Sequence, residues 1–255
     1  MDQSEKAWRE FKQIKKTLRH SPAPQGEGFD EWTQEGVESL PQFFDGTAHV
    51  WDGVFGGTYR FLHESLAQQI PRTDEAIRIL DIGCGTGLEL AHIFARAPRA
   101  RITGLDQAPR MLAELARKYQ DRMDQIDLVE ASCLDWPAGL AGFDFAVSIL
   151  TMHHFPPRTK PGVYASIRSA LGEGGVYIEA DQSVPEEMER NNLKLFNHWI
   201  APLPGGEKGE WNYDVRLSAT TNCRLIQEGG FSSCQVAWDD GDGGADGHKI
   251  FVARP

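Results

Sequence analysis

The residues able to do chemistry sit at the ends of short apolar runs. In Asp81-Ile82-Gly83-Cys84-Gly85-Thr86-Gly87 a carboxylate and three alternating glycines follow the apolar stretch Ile77, Ile79, Leu80 and Ile82. An unbroken apolar stretch of this kind suits a strand buried on both faces of a parallel sheet. Glycines then let the backbone turn where a Cβ would clash, and they leave room for a ligand. Leu90, Ile93, Phe94 and Ala97 recur at helical spacing, so the bend feeds a helix whose first amides point back at the bound molecule. Nucleotide and dinucleotide sites share this arrangement, and spacing separates them. The dinucleotide fingerprint wants a small residue where this chain has Leu88, and the phosphate loop ending in Gly, Lys and Ser or Thr is absent. Further candidates are Asp106, closing the next apolar run, the pair His153-His154, and Glu179 with Asp181. The last two lie at the carboxyl end of a strand, the edge where open α/β sheets take their ligands.

The segment Asp81 to Gly87 resembles the first motif of the class I S-adenosylmethionine-dependent methyltransferases of small-molecule type. The resemblance implies that Gly83, Cys84, Gly85 and Gly87 approach the amino-acid part of the cofactor and that Asp81 helps hold its ammonium group. Asp106 matches the acid that takes both ribose hydroxyls, a carboxylate having two acceptor oxygens for two neighbouring donors. Gln107 to Leu112, with Met111, is similar to the run that follows this acid in the family. Ser132 stands where the family commonly has an Asp beside adenine, with Cys133 next to it and Asp135 three residues on; Ser148 and Ile149 fall on the strand passing under the adenosine. Trp51 and Tyr59 belong to an aromatic and acidic segment of the kind that closes over the cofactor. His153, His154, Asp181 and Trp199 are the implied substrate-side residues.

Elements must position these groups. Strands are expected over Ile77–Ile82, Arg101–Asp106, Ile126–Ala131, Phe143–Leu150 and Gly175–Asp181, alternating with helices, and Phe231–Trp238 with His248–Ala253 reads as an antiparallel hairpin. Repeated strand and helix units imply an α/β fold: a doubly wound, seven-stranded, mostly parallel Rossmann-like sheet with helices on both faces and a C-terminal antiparallel hairpin. Residues 1–42 read as a helical extension and linker, and 43–255 as the methyltransferase domain, with a substrate-side insertion at about 182–222. Trp199, Trp211, Tyr213 and Asp214 are the chemically pointed residues of that insertion. From Ser4 to His20 a basic helix carries Trp8, Phe11, Ile14 and Leu18 on one stripe, fitted to pack on the domain or to touch an acidic partner or membrane surface. A glycine stop is expected at Gly172 to Gly175.

Composition sets bounds. The 255 residues allow one core with embellishments, and a net charge of −11 disfavours nucleic acid, whose backbone calls for clustered Lys and Arg. No apolar run suits a membrane span and the start lacks a signal peptide's apolar segment, so a cytoplasmic location is the expectation. Cys84, Cys133, Cys223 and Cys234 are widely spaced, indicating buried thiols rather than a disulfide framework or a zinc site. No metal is expected either: adjacent histidines do not have the spacing of a two-histidine zinc helix, and the acidic loop 239–246 fails the calcium-loop pattern.

The resemblance therefore implies S-adenosylmethionine as cofactor, S-adenosylhomocysteine as product, and direct in-line methyl transfer to a small-molecule acceptor. His153, His154, Glu179 and Asp181 are the groups able to take an acceptor's proton, and none is singled out. An RNA or protein methyltransferase and a non-catalytic cofactor-binding module are the alternatives; oligomeric state and acceptor identity are not written in the sequence.

Overall fold

A computed structural model describes residues 3–18, 37–241 and 247–255. The expected linker 21–28, the end of the basic helix and most of the acidic loop lie outside these residues. The chain runs α1 (Gln3–Leu18), α2 (Leu40–Phe55), α3 (Arg60–Gln68), β1 (Arg78–Ile82), α4 (Leu90–Phe94), β2 (Arg101–Asp106), α5 (Pro109–Lys118), β3 (Ile126–Glu130) and β4 (Phe143–Ile149). It continues through α6 (Lys160–Ala170), β5 (Leu171–Gln182), α7 (Glu186–Trp199), α8 (Ala219–Glu228), β6 (Ser233–Asp239) and β7 (His248–Arg254).

Seven strands form one sheet in the order β3-β2-β1-β4-β5-β7-β6, with β7 antiparallel to β5 and β6. The chain winds outward from β1 to β3, returns to β4 beside β1, and winds the other way. That reversal opens a crevice beyond the carboxyl ends of β1 and β4.

Strand alternation divides the core. Ile79, Ile102, Val147 and Ile178 face Leu62, Leu66, Ile93 and Leu115 of α3, α4 and α5. Leu80, Ile82, Ala146 and Tyr177 face Val163, Ile167, Phe196 and Leu225 of α6, α7 and α8. Past the exposed Arg78, β1 is buried on both sides and carries no polar residue until Asp81, near its carboxyl end.

Three local expectations change. The helix after the glycine bend is five residues long, Leu90–Phe94, so it offers no extended amide terminus to a ligand. The Gly172 to Gly175 stretch does not cap α6; it lies within β5, where a register shift opposite Phe143 and Phe145 absorbs it. Cys223 and Cys234 are joined in a disulfide between α8 and β6, while Cys84 and Cys133 are free. Sequence spacing could not show that α8 returns onto the edge strand.

The basic helix packs on the domain. Phe11 of α1, 3% exposed, sits against Phe43, Val50 and Val54 of α2, and the Lys and Arg residues described lie outward apart from Lys15. Among the described residues no helix is long and apolar enough to cross a membrane.

Candidate active site

The floor of the crevice is the glycine bend. Gly83 and Cys84 donate their amides to the carbonyl of Leu105 at 2.8 and 3.2 Å, hanging the bend from β2. Gly83 has φ +67°, and a Cβ there would meet Thr151 at 2.5 Å. Gly85, at φ +49°, has nothing within 4 Å of where a Cβ would stand, so its missing side chain leaves open space in the crevice.

Asp106 is fixed at the lip. Gly85 N–H donates to its Oδ2 at 2.8 Å and Ala108 N–H to its Oδ1 at 2.8 Å. Each oxygen keeps a lone pair for a further donor, which suits a vicinal diol. Beneath the bend, Asp81 is 2% and Glu89 5% exposed. Burial, reinforced by Glu89, pushes the Asp81 carboxyl well above the usual range, and burial raises Glu89 too. Asp81 Oδ2 and Glu89 Oε1 have no hydrogen-bond partner among the described residues. Two buried, unsatisfied carboxylate atoms fit a site for an ammonium group. With the remaining acceptor positions of Asp106 and the space above Gly85, they fit the sulfonium cofactor that the resemblance implies.

α2 forms the wall opposite. Trp51 and Phe44 pack with Ala108 and Met111 of the β2-α5 junction. Asp52 Oδ1 accepts from Thr86 Oγ1 at 2.5 Å, and Arg110 N–H donates to Asp45 at 2.8 Å. Trp51, Tyr59, Gln107, Met111, Ser132, Cys133 and Ile149 all line one cavity of about 1130 Å³ with Gly83, Cys84, Gly85 and Asp106.

Some expected residues lie elsewhere. Ser148 is fully buried, bonded to Tyr177 at 2.8 Å, and faces away from the cavity because Ile149, its alternate on the strand, faces in. Gly87 packs under Leu90 and Leu115 behind the bend. Trp199 supports the core beside His198 and does not reach the cavity wall. Glu179 is buried on the α6 side, accepting from Tyr164 and Tyr177 at 2.9 Å each, so it is no acceptor-side group.

The far end of the cavity is polar. β4 ends at Ile149; Leu150 follows as the one non-glycine residue with positive φ (48°) among those described, and the chain then makes a short 3-10 turn, Met152–His154. In a turn this tight consecutive side chains need not diverge as on a strand: the rings of His153 and His154 lie 4.1 Å apart, centroid to centroid. Asp181 sits behind them, accepting the His153 N–H at Oδ2 (2.9 Å) and pairing Oδ1 with His153 Nδ1 at 2.6 Å.

The segment 182–222 reaches back to complete this corner. Val215 N–H donates to the His153 carbonyl at 2.7 Å, and Val184 N–H to the Leu217 carbonyl at 3.1 Å. Asp214 is thereby brought to 3.5 Å from His153 Nε2 and 3.8 Å from His154 Nδ1, with Arg216 at 3.2 Å from its other oxygen. Burial opposes charge on His153, but Asp181 and Asp214 outweigh it and raise its pKa. Burial and the neighbouring His153 push His154 down to about 3. For Asp214, the two histidines and Arg216 outweigh burial and hold it low. The sequence marks Asp214 as chemically pointed but carries no sign of its partners, because the backbone bonds that deliver it are long-range. Leu150, which the sequence places with Ser148 and Ile149 under the adenosine, lines the cavity, whereas Thr86 gave no sequence signal beyond its neighbours.

Residues 79–175 match the family described as a methyltransferase domain. The carboxy-S-adenosyl-L-methionine synthase of Campylobacter hominis is 23% identical over 223 residues, covering 81% of this chain and 93% of that protein. A trans-aconitate 2-methyltransferase of Afipia carboxidovorans is 38% identical over 139 residues, 54% of this chain and 50% of that protein, so this chain spans about half of it. The solved DhpI-SAM-HEP complex superposes with a TM-score of 0.63 at 21% identity, over 84% of this chain and 94% of that one, a likeness of fold.

Proposed function

We propose, from the premise that this chain belongs to the class I S-adenosylmethionine-dependent methyltransferases, that it methylates a small molecule by direct in-line transfer. Bound S-adenosylmethionine supplies a methyl group already activated as a sulfonium. The chain's own part is to hold, orient and exclude water. Asp81 and Glu89 offer buried acceptors to the ammonium group, Asp106 faces the ribose hydroxyls, and α2 covers them, latched by Asp52 on Thr86. Fixing acceptor and donor in one geometry removes much of the entropic barrier.

The observation that carries this reading is the continuity of the cavity, which runs from the glycine bend to the corner of His153, His154 and Asp214. Phe44 stands edge-on to His154 there at 5.4 Å, an apolar surface beside polar groups, as small-molecule pockets have. Of the groups able to take a proton, the wall presents His153, His154 and Asp214, while Asp181 lies behind. The Afipia relative's acceptor, trans-aconitate by its name, is likewise small.

The test is calorimetry with S-adenosylmethionine, then mass detection of S-adenosylhomocysteine with a panel of small hydroxyl and carboxyl acceptors. Asp106→Ala is expected to weaken cofactor binding at least tenfold, the loss of two hydrogen bonds to a charged acceptor. Absence of cofactor binding overturns the reading. So does a carboxylated cofactor in place of S-adenosylhomocysteine.

A further inference from the structure

We propose that His153, His154 and Asp214 form a binding site for one divalent first-row transition-metal ion at the polar end of the cavity. The inference rests on reading that corner as the acceptor end. His153 Nε2 and His154 Nδ1 stand 3.5 and 3.8 Å from Asp214 Oδ1, and all three ligand atoms lie within 4.8 Å of one another. A tetrahedral ion with bonds of about 2.0 to 2.1 Å spaces its ligands about 3.3 Å apart, so small side-chain rotations close the set.

A second observation is independent of these distances. His154 Nδ1 is buried, its side chain 8% exposed, and has no hydrogen-bond partner among the described residues. A buried imidazole nitrogen left unsatisfied against a carboxylate oxygen 3.8 Å away is too far for a hydrogen bond and well placed to share an ion.

The ligands are also oriented from behind. Asp181 engages His153 at Nδ1, leaving Nε2 for the corner, the carboxylate-histidine arrangement that supports metal-bound imidazoles. Arg216 donates to Asp214 Oδ2 and leaves Oδ1 inward. Three protein ligands facing a cavity leave a coordination position open, as at catalytic rather than structural ions. Two imidazoles favour zinc, cobalt, nickel or iron over magnesium and calcium, which take oxygen ligands. An acceptor hydroxyl at the open position would be acidified as metal-bound water is. Its O–H bond breaks, the electron pair stays on the oxygen, and the proton passes to solvent water.

The experiment titrates chelator-stripped full-length protein with Co²⁺, following the visible absorption of the nitrogen-ligated ion, with Mg²⁺ as the control. One Co²⁺ per chain is expected, with at least tenfold weaker binding in His154→Ala and Asp214→Asn and about tenfold weaker in Asp181→Asn. Asp214 is 30% exposed, so Asp214→Asn tests the site in a folded protein even if His154→Ala fails to fold. No visible band, or an affinity that Asp214→Asn leaves unchanged, overturns the site. Calorimetry with S-adenosylmethionine on the same stripped protein separates the two readings. Cofactor binding and undiminished S-adenosylhomocysteine formation without a Co²⁺ band overturn the ion alone, whereas lost cofactor binding counts against the methyltransferase reading itself.

Discussion

Asp81, proposed to hold the cofactor's ammonium group, destabilises the fold when that group is away. Burial and the nearby Glu89 raise its pKa, so the folded chain retains a proton that the unfolded chain has released. Its favourable contribution is therefore present at low pH and lost as pH rises through the folded pKa. Replacing the acid by its neutral isostere removes that loss and supplies Glu89 with an amide donor. Asp81→Asn is expected to melt above the parent at pH 8 without cofactor, to match it near pH 4, and to lose the stabilisation conferred by S-adenosylmethionine. Thermal melts at the two pH values, with and without cofactor, check all three; a variant still stabilised by cofactor removes Asp81 from the ammonium seat.

At the level of elements, α2 is held by two faces with different tasks. Phe43, Val50 and Val54 pack on Phe11 of α1, while Ala48 sits with Ala108 and Met111 over the β2-α5 junction. Between them Asp52 joins Thr86 at 2.5 Å and Lys118 at 2.5 Å. Its side chain is 42% exposed, so the ion pair with Lys118 is worth at most about 1 kcal/mol. The bond to Thr86 instead ties the helix to the bend it covers. Asp52→Ala is expected to change folding stability by less than about 1 kcal/mol and to speed cofactor release several-fold. Stopped-flow dissociation beside urea denaturation separates the two, and an unchanged release rate removes the latch.

Across the whole molecule, two buried groups on opposite faces of the sheet tilt stability in opposite directions with pH. Glu179, fully buried against Tyr164 and Tyr177, has its pKa raised to about 7 because burial outweighs the nearby Lys160. Its contribution is complete below about 4.5 and lost as pH rises through 7. His63, 4% exposed in α3, is lowered to about 4 by burial and then by His92 and Lys118. Its contribution is complete above 6.5 and lost as pH falls through 4. Urea denaturation from pH 4 to 8 should show Glu179→Gln gaining relative to the parent toward pH 8, by up to about 3 kcal/mol. His63→Gln should gain toward pH 4. Parallel shifts at every pH would mean that neither group carries a proton difference between the folded and unfolded states.

The strands, the glycine bend, the closing hairpin and the carboxylates at Asp81 and Asp106 were legible in the chain because their signals are local: an apolar run, a spacing of two, an acid at a strand end. The seating of α1 on the domain was also open to that reading, since one apolar stripe must find cover. Other features rest on contacts between distant residues. Strand register turned Ser148 and Glu179 away from the cavity, and a return of α8 onto β6 joined Cys223 to Cys234. Backbone bonds from the segment 182–222 carried Asp214 to two histidines whose tight turn set their rings side by side. Side-chain identity decides what a position can do chemically, but which groups meet is fixed by how strands pair and loops return. Only the tertiary structure holds that information.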